Sequence, residues 1–137
     1  MGMYTELAIG VEFKSNLPEE VRAALDFMVT EEGEAPTLNH PLFQTERWRW
    51  MLRSGGSYYF DAQPCLVWRY DDIARAWFLT VWTNIKNYTE EWQHFLDFIA
   101  PYVDTDGYIG TYRYENDDDP TILYVEHGRI VHRYVAR

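Results

Sequence analysis

Cysteines and long apolar runs are both scarce in this chain of 137 residues. The single cysteine, Cys65, excludes an internal disulfide and agrees with a reducing compartment. No segment approaches the roughly 20 consecutive apolar residues that a membrane span needs. Residues 1–14 also lack the charged, apolar and small-residue order of a secretory signal peptide. We therefore expect a cytoplasmic protein with no membrane attachment.

Basic residues are few as well. The chain has 12 Lys and Arg against 22 Asp and Glu, which gives a formal net charge of −10. Proteins that bind nucleic acid neutralise its phosphates with Lys and Arg, so direct nucleic-acid binding is disfavoured. One interpretation of the acidic surface is that it keeps the protein soluble. The alternative is a negative face that docks on a basic partner, including a nucleic-acid-binding protein whose groove it would occupy.

Aromatic residues, by contrast, are abundant. They make up 18% of the chain (6 Trp, 11 Tyr and 7 Phe) and are spread from Tyr4 to Tyr134. Disordered chains are poor in aromatics, so disorder is excluded. A domain of roughly 150 residues buries about 68–70% of its unfolded surface, enough for a core without disulfides or metal ions. We predict a single domain over residues 1–137.

The first half of the sequence predicts one strand and two helices. Residues 4–14 alternate apolar and polar side chains, as in a half-buried strand. A helix is predicted to start after Asn16 and to end before Gly33, with acids in its first turn. A second, shorter helix is predicted over residues 45–52, with Thr45 as its N-cap.

The middle of the sequence predicts strands. Residues 57–62 and 65–70 are rich in aromatic and β-branched side chains. A turn over residues 71–75 leads into a strand over residues 77–85, so these segments form a hairpin. Large apolar groups occur on both faces of that strand, which predicts a central place in its sheet.

The last part predicts one helix and three strands. The helix is capped by Thr89 and ends or kinks at Pro101. The strands are predicted over residues 108–114, 121–126 and 129–135, with a tight turn between the last two.

The order of elements predicts an α+β fold. The core matches the ferredoxin-like βαββαβ arrangement, with an inserted short helix and an added C-terminal β-hairpin. This arrangement predicts an antiparallel sheet with helices on one face. The other face must accommodate the surplus of aromatics. It is either an exposed patch that marks a partner or ligand surface, or the sheet curves to close it.

Two acidic segments are candidates for metal binding. Residues 104–109 have the Asp and Gly positions of a calcium loop, but Tyr102 falls at its first ligand position and Arg113 at its bidentate glutamate position. The second segment is the turn that contains Glu115, Asp117, Asp118 and Asp119. A charge-rich turn of this kind is usually solvated. We predict no metal site.

No catalytic or cofactor motif is present. The histidines His40, His94, His127 and His132 have no metal-ligand spacing. A lone cysteine in an apolar strand, such as Cys65, is usually a small buried hydrophobe, although a distant histidine could activate it in the fold. The sequence contains no nucleophile elbow, P-loop or dinucleotide fingerprint. We predict no catalytic residues and no cofactor.

One basic cluster is a candidate partner-binding site. It consists of Arg47, Trp48, Arg49, Trp50 and Arg53. Trp and Arg dominate interface hot spots, and in that case replacing Trp48 and Arg49 would abolish binding with little loss of stability. In the alternative, Trp48 packs inward while Arg49 and Arg53 pair with nearby acids.

Acidic residues complete the predicted partner surface. They are Glu115, Asp117, Asp118 and Asp119, in the turn that follows the strand over residues 108–114. A negative surface of this kind suits a basic partner.

Several segments carry a family resemblance. They are residues 3–7, residues 40–43 with Arg47 and Trp48, residues 57–61, residues 84–88 and residues 112–115. Together these segments span nearly the whole chain, and they resemble small uncharacterised proteins encoded by bacteriophages and prophages. The resemblance implies an accessory protein that binds and inhibits a host system, and it implies no catalytic residue.

Three hypotheses follow. The leading one is a non-enzymatic interaction protein of phage or mobile-element type that binds a host or defence protein. The second is a small-molecule-binding or enzymatic ferredoxin-like domain, in which His132, Tyr112 or Arg113 converge in an aromatic pocket. The third is a homo-oligomer in which the aromatic sheet face is a subunit interface.

Overall fold

Six β-strands and two α-helices make up the fold of the described residues. The computed structural model describes residues 3–55, 57, 60 and 64–136. The strands are β1 (Thr5–Glu12), β2 (Cys65–Asp71), β3 (Ala76–Ile85), β4 (Gly107–Tyr114), β5 (Thr121–Glu126) and β6 (Arg129–Arg133). The helices are α1 (Glu19–Thr30) and α2 (Glu91–Ile99). In this part of the chain, no helix is long and apolar enough to cross a membrane.

The strands form a single sheet in the order β2-β3-β1-β4-β5-β6. Every pair of neighbours is antiparallel. The first strand of the chain lies inside the sheet, because Thr5 is paired with Ile85 of β3 on one side and with Tyr114 of β4 on the other. The predicted α+β class and antiparallel sheet are confirmed.

Alternation along β1 positions the core. Leu7, Ile9 and Val11 are at most 4% exposed, and the intervening residues are more exposed. The buried apolar side chains of both helices belong to the same core as these three residues. Complete burial of a Leu or Ile side chain contributes about 1.5–3 kcal/mol, so this alternation fixes which face of the sheet turns inward.

The start of α2 differs from the predicted cap. Glu90, directly before the helix, has a left-handed backbone (φ 57°), and Thr89 does not accept a helical N–H. The Thr89 hydroxyl instead donates to Glu91 Oε2 (2.6 Å). Asn87 Oδ1 accepts the N–H of Trp92 (2.9 Å) and is therefore the group that caps the first turn.

The predicted helix over residues 45–52 is wrong. This region contains two short 3₁₀ turns, Pro41–Gln44 and Met51–Arg53. Thr45 closes the first turn, because its hydroxyl donates to the Leu42 carbonyl (2.6 Å). The Arg47 N–H donates to the Glu91 carboxylate (3.0 Å), which holds this segment against the start of α2.

Other boundaries differ by a few residues. The helix expected between Asn16 and Gly33 is α1, and the final strand ends at Arg133 rather than at residue 135. The predicted strand over residues 57–62 falls largely outside the described residues.

Candidate interaction surfaces

Arg47 is part of an internal ion pair. Its Nη1 lies 3.2 Å from Glu91 Oε2 and 3.4 Å from Glu46 Oε2. The Glu91 side chain is fully buried and the Arg47 side chain is 15% exposed. The guanidinium also lies over the Tyr88 ring, 5.2 Å from its centroid. Arg47 therefore connects the segment before it to the start of α2.

The Glu91 carboxylate is ionised in spite of its burial. Burial alone would raise the pKa of this group. Hydrogen bonds from the Thr89 hydroxyl, the Arg47 guanidinium and backbone N–H groups outweigh burial and lower the pKa of Glu91 below its ordinary value. A paired, fully hydrogen-bonded carboxylate is a structural element rather than a contact for a partner.

Trp48 belongs to the hydrophobic core. It is 7% exposed. Its ring centroid lies 5.0 Å from that of Phe43 and 5.7 Å from that of Phe27. Trp48 therefore packs inward, as in the alternative interpretation, and we expect truncation of this buried side chain to cost about 3–5 kcal/mol.

The remaining basic-cluster residues lie closer to the surface. Arg53 Nη2 pairs with Glu31 Oε2 at 2.9 Å, which agrees with the alternative in which this arginine pairs with a nearby acid. The Arg49 guanidinium lies 5.3 Å from the centroid of the Trp48 ring. Trp50 is 44% exposed. Arg49, Trp50 and Arg53 are the exposed members of the cluster.

Glu115 is buried, unlike Asp117, Asp118 and Asp119. It is 8% exposed, and its backbone N–H donates to the Tyr4 carbonyl (3.0 Å). The Ser57 hydroxyl donates to Glu115 Oε2 (3.3 Å). Glu115 thus holds the end of β4 against neighbouring segments.

Asp117, Asp118 and Asp119 line a surface groove of about 450 Å³. We call it the Asp117 groove. Its lining residues are Asp117, Asp118, Asp119, Pro120, Thr121, Tyr134 and Val135. The Tyr134 side chain is 75% exposed. Arg113 Nη1 donates to the Asp117 carbonyl (3.0 Å), which ties down the turn without using the Asp117 carboxylate.

The two predicted clusters lie on different elements. The basic cluster contacts Glu31, directly after α1, and Glu91 at the start of α2. The acidic turn connects β4 to β5 and faces the C-terminal residues.

Of the three residues that the second hypothesis names for an aromatic pocket, Tyr112 and His132 lie together and Arg113 lies apart from them. The Tyr112 and His132 rings are in edge contact at 5.7 Å. Burial raises the pKa of Tyr112 above its ordinary value. Arg113, the next residue in β4, lies over the Phe60 ring at 5.0 Å. Successive residues of a strand point to opposite faces, so Arg113 is separated from the other two by the sheet.

A cleft that the sequence did not predict lies between the start of α1 and the end of α2. Its volume is about 380 Å³, and we call it the His40 cleft. Its lining residues are Glu20, Val21, Leu38, Asn39, His40, Asp97, Phe98, Pro101 and Tyr102. They come from three separate parts of the chain, and no local motif signals their convergence. The one local feature that pointed to this region was His40, which directly precedes the turn Pro41–Gln44.

His40 is held in one orientation. Its Nδ1 accepts the Leu42 N–H (3.1 Å), and its ring packs edge-on against Phe98 at 5.2 Å. Burial lowers the pKa of His40 below its ordinary value, and His94 adds to this effect while Asp97 opposes it. The neutral ring then carries its proton on Nε2, because Nδ1 is the acceptor.

The sheet face opposite the core is partly open. Val67, Trp82 and Tyr108 are 40%, 45% and 60% exposed. Register alignment places Cys65, Trp82 and Ala8 in one row across β2, β3 and β1. Cys65 has intermediate exposure. The Trp82 indole N–H donates to Glu6 Oε2 (3.1 Å), two residues from Ala8 along β1.

The described residues contain no group of three or more His, Cys, Asp or Glu side chains arranged to hold a metal ion. In the segment that resembles a calcium loop, Thr105 Oγ1 accepts the Glu12 N–H (3.1 Å) and the Asp104 N–H donates to the Glu12 carbonyl (2.8 Å). These contacts join the segment to β1.

The fold and these surfaces define an α+β domain with a six-stranded antiparallel sheet, two concave acidic surfaces and one partly open sheet face. No protein-family model, curated protein or solved structure matches the chain.

Proposed function

We propose that this chain is a non-enzymatic accessory protein of a phage or other mobile element, which binds and inhibits a host or defence protein. The observation that carries the proposal is the Asp117 groove. Three consecutive aspartates and an exposed tyrosine line one concavity in a chain of net charge −10.

The chemistry of the groove suits a basic protein surface. A cluster of carboxylates accelerates encounter with a positively charged partner and disfavours acidic ones. Tyr134 supplies a large side chain of the type enriched in binding hot spots. The exposed Arg49 and Trp50 provide a second candidate contact of the same residue types.

The proposal includes a ferredoxin-like core. The strand order β2-β3-β1-β4 supports it, because α1 lies between β1 and β2 in the chain and α2 lies between β3 and β4. Pairing of β5 with β4 and of β6 with β5 supports the added C-terminal hairpin.

Affinity purification from a bacterial lysate tests the proposed function. The tagged chain is compared with the variants Asp117→Asn/Asp118→Asn and Glu32→Gln/Glu34→Gln, which remove the same charge at exposed positions. We expect a partner that the parent and the second variant retain at low salt, that the first variant loses, and that high salt releases. Equal retention by both variants would place binding elsewhere. A lysate from which the parent retains nothing would overturn the proposal.

The alternative function is small-molecule binding or catalysis in a ferredoxin-like domain with an aromatic pocket. The observation in its favour is the His40 cleft, since a concave site with a few polar groups and aromatic walls is typical of ligand sites. A metabolite panel screened by thermal shift separates the alternatives. A hit that Asp97→Asn abolishes would support this function over partner binding.

A homo-oligomer formed by the open sheet face is the third proposal. Its support is the exposure of Val67, Trp82 and Tyr108 on that face. Sedimentation equilibrium of the parent and of Trp82→Lys tests it, and a parent that is monomeric at every concentration would contradict it.

A further inference from the structure

We infer that the His40 cleft receives an arginine side chain of the partner protein, an inference that rests on the proposed function and names one contact within it. The inference is carried by the juxtaposition of two carboxylates with aromatic and aliphatic walls in one concavity.

Charge is the first argument. Glu20 and Asp97 are exposed carboxylates that line the cleft, and its lining contains no lysine or arginine. The chain's own Lys14 Nζ donates to the carbonyl of Pro101, which is one of the lining residues (3.0 Å). Two carboxylates against this single ammonium leave a negative excess. The site therefore favours an added cation.

The walls are the second argument. Phe98 and Tyr102 are aromatic neighbours with ring centroids 6.5 Å apart, and Val21 and Leu38 are aliphatic. A long cationic side chain buries its methylene stem along apolar surface while its charged end stays near water and carboxylates. A cleft with both features accommodates the whole side chain rather than an isolated ion.

Geometry favours arginine over lysine. The guanidinium is planar, stacks on aromatic rings and donates to a carboxylate through two N–H groups at once. An ammonium is a strongly hydrated point charge and gains less from an aromatic wall. The carboxylates and aromatic rings of the His40 cleft therefore match a guanidinium better than an ammonium.

His40 favours a peptide over a free amine. Its Nδ1 is occupied by the Leu42 N–H, so Nε2 is the donor of the neutral ring. His40 is a lining residue, and a ring N–H donor on such a residue suits the backbone carbonyl of a bound peptide, a group that a polyamine lacks.

Amide chemical-shift titration tests the inference. The ¹⁵N-labelled chain is titrated with acetyl-Gly-Arg-Gly-amide, with the same peptide carrying citrulline or lysine, and with spermidine. We expect shifts at His40, Asp97 and Phe98 with the arginine peptide, weaker shifts with lysine and spermidine, and none with citrulline. Equal shifts with citrulline, or shifts spread over all exposed acids, would overturn the inference.

Matched variants locate the site. The variant Glu20→Gln/Asp97→Asn should lower the affinity for the arginine peptide roughly tenfold, because it removes both carboxylates from the cleft. Glu19→Gln/Glu32→Gln removes the same charge from exposed positions outside the lining and should leave affinity within about twofold. Equal weakening by both pairs would mean that only net charge matters and would contradict the site.

The same variants separate this inference from the proposed function. If the lysate partner is lost by Asp117→Asn/Asp118→Asn and kept by Glu20→Gln/Asp97→Asn, the function stands and the arginine contact is wrong. If the parent retains no partner, the function fails, and the peptide titration alone decides whether the cleft binds arginine.

Discussion

Glu91 and Arg47 show how one buried carboxylate organises two segments. The Glu91 carboxylate receives the Thr89 hydroxyl, the Arg47 N–H and the Arg47 guanidinium. These donors come from both sides of the junction between the 45–50 segment and α2. Removing one partner of a buried pair leaves the other charge unpaired, and that cost exceeds the net contribution of the pair itself.

We predict that Glu91→Gln lowers the free energy of unfolding by about 1.5–3 kcal/mol, the size of a hydrogen bond to a charged group. The control is Glu46→Gln, because Glu46 pairs with the same arginine at 67% exposure and should cost less than about 1 kcal/mol. Urea denaturation measures both variants. Similar costs for the two would show that Glu91 has no special role.

The lowered pKa of His40 makes stability depend on pH. The folded state holds His40 neutral more strongly than the unfolded state does, since burial lowers its pKa below the ordinary 6.5. The unfolded state therefore binds more protons between the two pKa values. The contribution of His40 to the free energy of unfolding is fully present above its ordinary pKa. It is lost as pH falls through the pKa of the folded state.

We predict that His40→Asn reduces the stability lost between pH 7 and pH 5, measured by urea denaturation at each pH. Asn keeps an acceptor for the Leu42 N–H and removes the titrating ring. His127→Asn is the control, because His127 lies exposed in a turn with φ 53°, which Asn tolerates. A pH profile unchanged by His40→Asn would contradict the assignment of this effect to His40.

At the scale of elements, regular alternation was predictable and tertiary hydrogen bonding was not. The strands β1, β3 and β5 follow their apolar periodicity, so their bounds were predicted within about two residues. Residues 45–52 have helical spacing of buried side chains, and Trp48 and Leu52 are indeed buried. The sequence pattern does not reveal the contact with Glu91, whose carboxylate accepts the Arg47 N–H although the two residues are 44 positions apart.

The candidate sites also differ in whether the sequence could predict them. The Asp117 groove contains residues that are adjacent in sequence, so the acidic turn was predictable from composition. The His40 cleft joins Glu20 to Asp97 through the packing of α1 near α2, and packing between distant elements has no local signature. Arg47 and Trp48 had the residue types of a hot spot, yet their contacts are internal.

A bulge in β4 depends on one glycine. The pairing of β4 with β5 shifts register between Tyr108 and Gly110. Gly110 has φ 152°, and a Cβ there would lie 1.9 Å from the Ala8 carbonyl oxygen of β1. Gly110 thus permits the close approach of β4 to the central strand.

We predict that Gly110→Ala destabilises the protein by at least about 2 kcal/mol, because the backbone of β1 must move or β4 must leave its φ region. Gly10→Ala is the matched control within the same sheet, since its nearest neighbour, Thr80 Oγ1, is 3.9 Å away. This control should be neutral or stabilise by about 0.5–1 kcal/mol. Thermal and urea unfolding measure both, and equal effects would contradict the role of the bulge.

At the scale of the whole molecule, charge is the dominant feature. The described ion pairs are mostly exposed at one or both partners, so each contributes little to stability. With a net charge of −10, the acidic side chains repel one another in the compact state. The same excess that attracts a basic partner therefore costs folding free energy in the absence of that partner.

We predict that raising NaCl from 20 mM to 500 mM increases the melting temperature by about 2–5 °C, because screening removes repulsion worth roughly 1 kcal/mol. The variant Asp117→Asn/Asp118→Asn/Asp119→Asn should melt at a higher temperature than the parent at low salt, and its melting temperature should rise less with added salt.

Calcium and chelator at matched ionic strength should leave the melting temperatures of both proteins unchanged, since the effect is screening and not coordination. A melting temperature that falls with salt would mean that ion pairs outweigh repulsion. A calcium-specific rise in the parent that the triple variant lacks would instead locate a metal site in the Asp117 groove.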